Sequence, residues 1–172
     1  MKVEINPPTA DVREFCKRCS QLGYNNNSNL YSMKWQWCLD NGGAWWAAYD
    51  NDQIVSIAGC HPFLDGYRLV FRGAQTQSNQ TGLSKHHLSS IPWAVLMPEQ
   101  IAWCSGVATG ETPGYITTNV SHDASGKMNR THRVLNRLSE QRIVKYIQTE
   151  KVFGTKQSIW QLQVGAYFET LR

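Results

Sequence analysis

Between residues 44 and 71 the chain carries three β-patterned runs, and the turns joining them are too short to hold a helix. Residues 44–49 and 54–60 flank Asp50-Asn51-Asp52-Gln53, where Asn and Asp tolerate the left-handed backbone of a tight hairpin. Asp65-Gly66 then turns the chain into residues 67–71, where Tyr67, Leu69 and Phe71 share a face. Strands joined this closely pair antiparallel, because a parallel pair needs a crossover of about a dozen residues or more. The sheet is therefore built outward from a three-stranded meander.

The flanking segments predict a mixed α+β fold. Residues 2–5 alternate like a short strand, which Pro7-Pro8 ends. Thr9 or Asp11 caps a helix in which Val12, Phe15, Cys16, Cys19 and Leu22 recur at helical spacing, with Gly23 as its stop. Past Asn25-Asn26-Asn27, Ser28 caps a second helix that buries Leu30, Met33 and Trp37 and ends at Gly42-Gly43.

After the meander, residues 82–90 have helical character. Pro92 and Pro98 interrupt any long helix there, and Pro98 opens a short one through Trp103. Residues 115–120 read as a strand, which the intervening segment allows to lie parallel to the last meander strand. Ser125 or Lys127 starts a helix reaching about Arg142, with Val134, Leu135 and Leu138 inward, and residues 143–148 and 158–164 form a closing pair of strands around Gly154.

A length of 172 residues without internal repeat or linker fits a single domain over 1–172. No stretch approaches the ~20 apolar residues of a membrane span. The start, Met1-Lys2-Val3-Glu4-Ile5, lacks the apolar core of a secretory signal, so a cytoplasmic protein is expected. The four Asn-x-Ser/Thr triplets then carry no meaning for glycosylation.

Five cysteines, an odd count, suit reduced thiols. Cys16 and Cys19, with Cys38 and His61, could be drawn as a zinc site. The helical stripe instead makes Cys16 and Cys19 core residues, and a second close ligand pair is missing, so no metal is expected. His86-His87 has no carboxylate in its loop to complete a metal set. Seven tryptophans invite base stacking, but Trp35, Trp37, Trp45 and Trp46 fall inside predicted helix and strand, and no nucleic-acid motif is present. Nucleic acid is therefore not the expected partner.

Two polar features remain. Residues 73–90 form a run rich in Gln, Ser, Asn and His between a strand and a helical segment, a setting in which backbone N–H groups bind phosphate. Residues 126–156 hold eight Lys or Arg against two Glu, and Arg130, Arg133 and Arg137 share one helix edge by their spacing. Fixed cations there would meet the phosphates of a nucleotide cofactor or, as the weaker reading, of a nucleic acid, the alternative being an ordinary solvated helix face.

The order strand, helix, helix, three-strand meander, polar loop with helix, strand, helix, two strands resembles the GNAT superfamily of acyl-coenzyme A N-acyltransferases over nearly the whole chain. The resemblance implies one GNAT-like domain and acetyl-coenzyme A or another acyl-coenzyme A as cofactor. The acceptor would be an amine the sequence does not identify. It also implies that residues 67–76 and 115–120 splay apart, with Asn119 on the second strand, so that exposed backbone pairs with the cofactor's amide-bearing arm. A backbone N–H near Arg72, Gly73 and Ala74 would polarise the thioester carbonyl.

Of the family's phosphate signature, Gln/Arg-x-x-Gly-x-Gly/Ala, the segment Asn79-Gln80-Thr81-Gly82-Leu83-Ser84 keeps the central glycine, with Asn79 and Ser84 at the ends and Lys85 adding charge. Arg130 and Arg133 would add further phosphate contacts. The family's later signature, begun at Asn129, places Leu135 in register but puts Asn136 where the family has the tyrosine that protonates the leaving thiolate. An amide is no acid, which leaves His132 and Tyr146 as the nearby side chains able to give a proton. The alternative is a GNAT-shaped protein that has lost chemistry and binds a partner.

Overall fold

In a computed structural model, which describes residues 1–21, 35–74, 90–107, 113–120, 122, 125–152, 154–163 and 169, the meander is the middle of a seven-stranded mixed sheet of order β1-β2-β3-β4-β5-β7-β6. The strands are β1 (Lys2–Ile5), β2 (Ala44–Asp50), β3 (Gln53–Phe63), β4 (Gly66–Ala74), β5 (Gly114–Asn119), β6 (Val144–Val152) and β7 (Thr155–Leu162). Every pairing is antiparallel except β4 with β5, which is parallel as the crossover argument requires.

The turns follow their residues. Asn51 and Asp52 both take positive φ, 47° and 62°, which gives the tight β2–β3 hairpin. Gly154, at φ 82°, serves the β6–β7 turn.

The sheet divides the core into two layers. Trp45, Ala47 and Tyr49 of β2 face α1 (Thr9–Gln21) and pack with Val12, Phe15 and Cys16 from its apolar stripe. Ala44, Trp46 and Ala48 face the other way, onto Leu96, Met97 and Ile101 and, further along, Leu135. A strand covered on both faces must be apolar at every position, hence Ala-Trp-Trp-Ala-Ala-Tyr.

Several boundaries differ from the sequence reading, each for a local reason. Trp37 is 42% exposed, and Trp35 and Cys38 of the helical segment 35–40 turn inward instead. Helical structure runs unbroken from residue 90 to residue 107, through a π-helical stretch Pro92–Leu96 into α2 (Met97–Val107). Pro92 sits in the first turn, where a missing N–H costs nothing, and the wider π turn carries the chain past Pro98 by bonding Met97 N–H to the Pro92 carbonyl.

The following helix, α3 (Arg130–Glu140), begins later than Ser125 or Lys127, because the Asn129 side chain caps it by accepting from the His132 N–H at 2.9 Å. It ends short of Arg142, which takes φ 61°. β6 runs past residue 148 to meet the tight turn, and β7 correspondingly starts at Thr155. The second-helix residues Leu30 and Met33, the stripe residue Leu22, the stop at Gly23 and positions 75–89 of the polar loop lie outside the described residues.

Cys16, Cys38 and Cys60 are buried free thiols, and burial pushes the Cys16 thiol up to about 11. Titration of the native protein with an aromatic disulfide near pH ~8 should therefore leave at least these three unreacted until the chain is unfolded. Immediate reaction of all the thiols in the native protein would contradict the packing.

Candidate functional site

The parallel β4–β5 ladder is short. It joins Tyr67 to Gly114, Arg68 to Tyr115 and Leu69 to Ile116, and there it stops. Beyond that point β4 pairs on with β3 through Val70, Gly73 and Ala74, while Thr117–Asn119 pair with β7. Each strand keeps its outer neighbour, so among the described residues no pairing joins the two inner edges past Leu69 and Ile116, which leaves a gap in the ladder there. The early end of this ladder fits the splay expected of residues 67–76 and 115–120, of which 75 and 76 lie outside the described residues.

A second irregularity lies on the same edge. Ile57 opposes Gly73 and Gly59 opposes Val70, so Phe71 and Arg72 together face the single residue Ala58. Two residues against one is a β-bulge, which re-aims the backbone groups it contains. The bulge begins two residues past the last β4–β5 pair, so the backbone of Arg72, Gly73 and Ala74 borders the gap. The buried Gln100 of α2 donates its side-chain N–H to the Gly59 carbonyl at 2.7 Å, satisfying the β3 backbone beside the bulge. Sequence reasoning missed Gln100. Its only signal was a polar residue at an inward position between Met97 and Ile101.

The base of the gap is closed by side chains, and its two faces differ. On the α2 and α3 side lie Leu69, Ile116 and Leu135, all fully or nearly fully buried. On the α1 side Arg68 reaches along β5. Its Nε donates to Thr117 Oγ1 at 2.6 Å and an Nη donates to Gln157 Oε1 at 3.2 Å, so one guanidinium ties β4, β5 and β7 together. The Phe63 ring centre lies 6.0 Å from the guanidinium carbon. Arg68 is only 8% exposed, and burial pulls its pKa down to about 10, which still leaves it a cation at neutral pH. It too was unmarked in the sequence, because an Arg in an alternating strand reads as a solvent-facing residue.

His61 lies across from Arg68 in the β3–β4 register, with its ring 4.8 Å from Trp37 and 6.3 Å from Phe63, edge to face in both cases. Tyr115 donates its hydroxyl to Asp65 at 2.6 Å, and burial with that carboxylate raises its pKa to about 12.

His132 is half-buried rather than a plain surface residue. Its Nδ1 lies 3.3 Å from Ser158 Oγ, its ring packs on the edge of Trp160, and burial together with nearby His122 holds its pKa down. Tyr146 contacts the same Trp160 ring from β6 and exchanges a hydrogen bond of 2.8 Å with Thr149. The structure thus brings the two proton-donor candidates onto one tryptophan of β7, one strand beyond β5 from the gap.

Asn119 ends β5, where its carbonyl accepts from the Asn129 side chain, so the strand end and the α3 cap are locked together. Arg130 opens α3, its side chain being outside the described atoms, and Arg133 is exposed one turn on. Asn136 is exposed as well. Asn79, Gly82, Ser84 and Lys85 lie outside the described residues. Among the described residues no group of three His, Cys, Asp or Glu side chains is placed to hold a metal ion, and no helix is long and apolar enough to cross a membrane.

No protein-family model matches the sequence, and no curated protein does. Solved structures do match the fold. One is a Desulfovibrio desulfuricans protein assigned to the GNAT family of acetyltransferases, at 14% identity and TM-score 0.58, covering 95% of this chain and 99% of that one. The aminoglycoside 6'-N-acetyltransferase of Enterococcus faecium aligns at 13% identity and TM-score 0.54, covering 94% and 95%. An acyl-CoA N-acyltransferase of Pseudomonas aeruginosa aligns at 7% identity and TM-score 0.50, covering 94% and 98%. The chain has the GNAT fold: one α+β domain whose mixed sheet carries an antiparallel meander and flanking helices.

Proposed function

We propose that the protein is an N-acyltransferase that moves an acetyl or other acyl group from acyl-coenzyme A to an amine. The observation that carries this reading is the β4–β5 gap with a bulge on its β4 edge. The amide groups of the cofactor's arm take the place of the missing neighbour strand, and a backbone N–H between Arg72 and Ala74 meets the thioester oxygen as it becomes negative. The fold likeness to acetyltransferases and to an acyl-CoA N-acyltransferase supports the same cofactor.

In the reaction the amine lone pair attacks the carbonyl carbon, a C–N bond forms and the C–S bond breaks. The proton lost by nitrogen balances the one gained by the thiolate. Asn79, Gly82, Ser84 and Lys85, with Arg130 and Arg133, are assigned to the phosphates, and Asn119 to the β5 side of the gap. His132 and Tyr146 are held on Trp160 of β7, one strand beyond β5, and a water that carries the proton would serve in place of either.

A second reading has its own support. Asn136, an amide, stands where the resembled family has its tyrosine acid, which fits a GNAT-shaped protein that binds a partner without turnover.

Calorimetry with coenzyme A separates the two. Binding should be measurable below about millimolar cofactor. Arg133→Ala should weaken it a few-fold at low salt, with the difference fading as salt screens the exposed charge. No heat at millimolar cofactor would remove the enzyme reading and leave the partner-binding one.

A further inference from the structure

We propose that His132 carries the proton of the acyl transfer, its Nε2 taking the proton from the amine and returning it to the departing sulfur. Ser158, held by Trp160, is the positioning residue that fixes the ring for this task. The proposal rests on the acyltransferase reading and supplies its proton carrier.

The position follows from the register. The β4–β5 ladder ends at Leu69 with Ile116, and continued in step it would bring Phe71, the first residue of the bulge, level with Thr118. On the α3 side the base of the gap is apolar, with Leu69, Ile116 and Leu135. At the level of Thr118 it turns polar. Thr118 Oγ1 donates to Asn129 Oδ1 at 3.3 Å, and Asn129 caps α3, so the first turn of that helix, with His132 in it, stands over this part of β5. Ser158 is the β7 partner of Thr118. His132 therefore lies on the β5 side of the gap at the level of the bulge, where the thioester is assigned.

Counting hydrogens fixes the tautomer of the ring. A serine oxygen has one hydrogen and two lone pairs. Ser158 Oγ meets three partners: Trp160 Nε1 at 2.9 Å, His132 Nδ1 at 3.3 Å and the Thr118 carbonyl at 3.4 Å. An indole N–H can only donate, and a carbonyl can only accept. Ser158 therefore gives its hydrogen to Thr118, accepts from Trp160, and has one lone pair left for His132. All three contacts are hydrogen bonds when Nδ1 carries the ring's hydrogen, which leaves a lone pair on Nε2. That nitrogen has no hydrogen-bond partner among the described residues.

The surroundings keep the lone pair free. Burial and nearby His122 hold the pKa of His132 down. The ring also stands in the first turn of α3, where the positive end of the helix dipole disfavours an imidazolium. Nε2 accepts the amine's proton as the C–N bond forms, and the imidazolium gives it to the sulfur as the C–S bond breaks. The ring ends as it began. Tyr146, the other candidate, exchanges its hydrogen bond with Thr149 and stands on β6, one strand further from the gap.

The test reads the ring by nitrogen NMR of the full chain labelled in histidine. At a pH of about 8 the parent should carry hydrogen on Nδ1 of His132 and none on Nε2. Ser158→Ala should lose that preference, an effect that a merely structural serine would not have. Coenzyme A should move the Nε2 signal, and desulfo-coenzyme A, which lacks the sulfur, should bind and move it clearly less. In turnover, release of coenzyme A from acetyl-coenzyme A is followed with water or a panel of primary amines as acceptor. His132→Gln should slow it at least about 100-fold, and Ser158→Ala about tenfold, with cofactor affinity kept in both.

Hydrogen on Nε2 in the parent, equal responses to the two cofactors, or a His132→Gln rate within about threefold of the parent overturns the proposal. So does a parent that binds acetyl-coenzyme A and never releases coenzyme A. The parent spectra do not depend on any variant folding. Absence of binding by either cofactor at about millimolar concentration removes the acyltransferase and this carrier with it. Binding with a ring that ignores the sulfur removes His132 and leaves the acyltransferase.

Discussion

Gly66→Ala should lower the melting temperature by about 5–15 °C and abolish coenzyme A binding together with the native β4–β5 junction. A Cβ added at Gly66 would stand 1.9 Å from the Pro113 carbonyl oxygen and 2.9 Å from its carbon. Both atoms are backbone, so no side-chain rotation relieves the collision. The same oxygen accepts the Tyr67 N–H at 3.0 Å, and Tyr67 opposes Gly114 in the first of the three β4–β5 pairs. Room for the methyl comes only by moving β5 away from β4 at the base of the gap, which breaks that bond and shifts the inner edges the cofactor would bridge.

Overpacking against rigid backbone, with one hydrogen bond lost, costs about 2–4 kcal/mol. Gly154→Ala is the comparison: nothing lies within 4 Å of its Cβ, and its φ of +82° alone costs about 1–2 kcal/mol. Thermal melts of the two variants beside the parent decide the matter. A Gly66→Ala protein melting within about 2 °C of the parent would show that the junction has slack.

How much of this was legible in the sequence follows from what each feature depends on. The meander was, because turn chemistry and alternation are local: Asn51 and Asp52 announce their backbone without knowing the rest of the fold. The parallel placement of β5 followed from the length of its connection. The continuous helix from 90 to 107 did not, since Pro92 and Pro98 are helix breakers by rule, and only the π turn that absorbs them removes the conflict.

Trp37 went wrong for a related reason. It was placed by period from Leu30 and Met33, whereas the segment 35–40 turns Trp35 and Cys38 onto the sheet. The early end of the β4–β5 ladder was foreseen through the family resemblance, and the side chains around it were not. Arg68 and Gln100 stayed hidden because burial of a polar residue depends on partners 49 and 41 positions away. His132 was anchored by Ser158, 26 residues on, so local spacing could not aim it.

Trp45→Ala should destabilise the protein by about 3–5 kcal/mol, and a second substitution at Gly59 should then cost nothing further. Trp45 is fully buried between the sheet and the segment 35–40, where its indole N–H donates to the Trp35 carbonyl at 3.0 Å. Removing the ring leaves a large void and strips that carbonyl of its donor, two penalties that add.

Gly59 is the cross-strand partner of Trp45, and a Cβ there would lie 2.9 Å from ring atoms Cδ2 and Cε2. In the parent, Gly59→Ala forces the ring off its seat for about 1–3 kcal/mol. In the Trp45→Ala background the obstacle is gone, and the added methyl fills part of the space the indole left. The double variant should therefore be no less stable than Trp45→Ala alone, a coupling of about 1–3 kcal/mol read from four urea denaturation curves. Additive losses would mean that Gly59 is required for its backbone, beside the bulge and under Gln100, and that the indole merely lies over it.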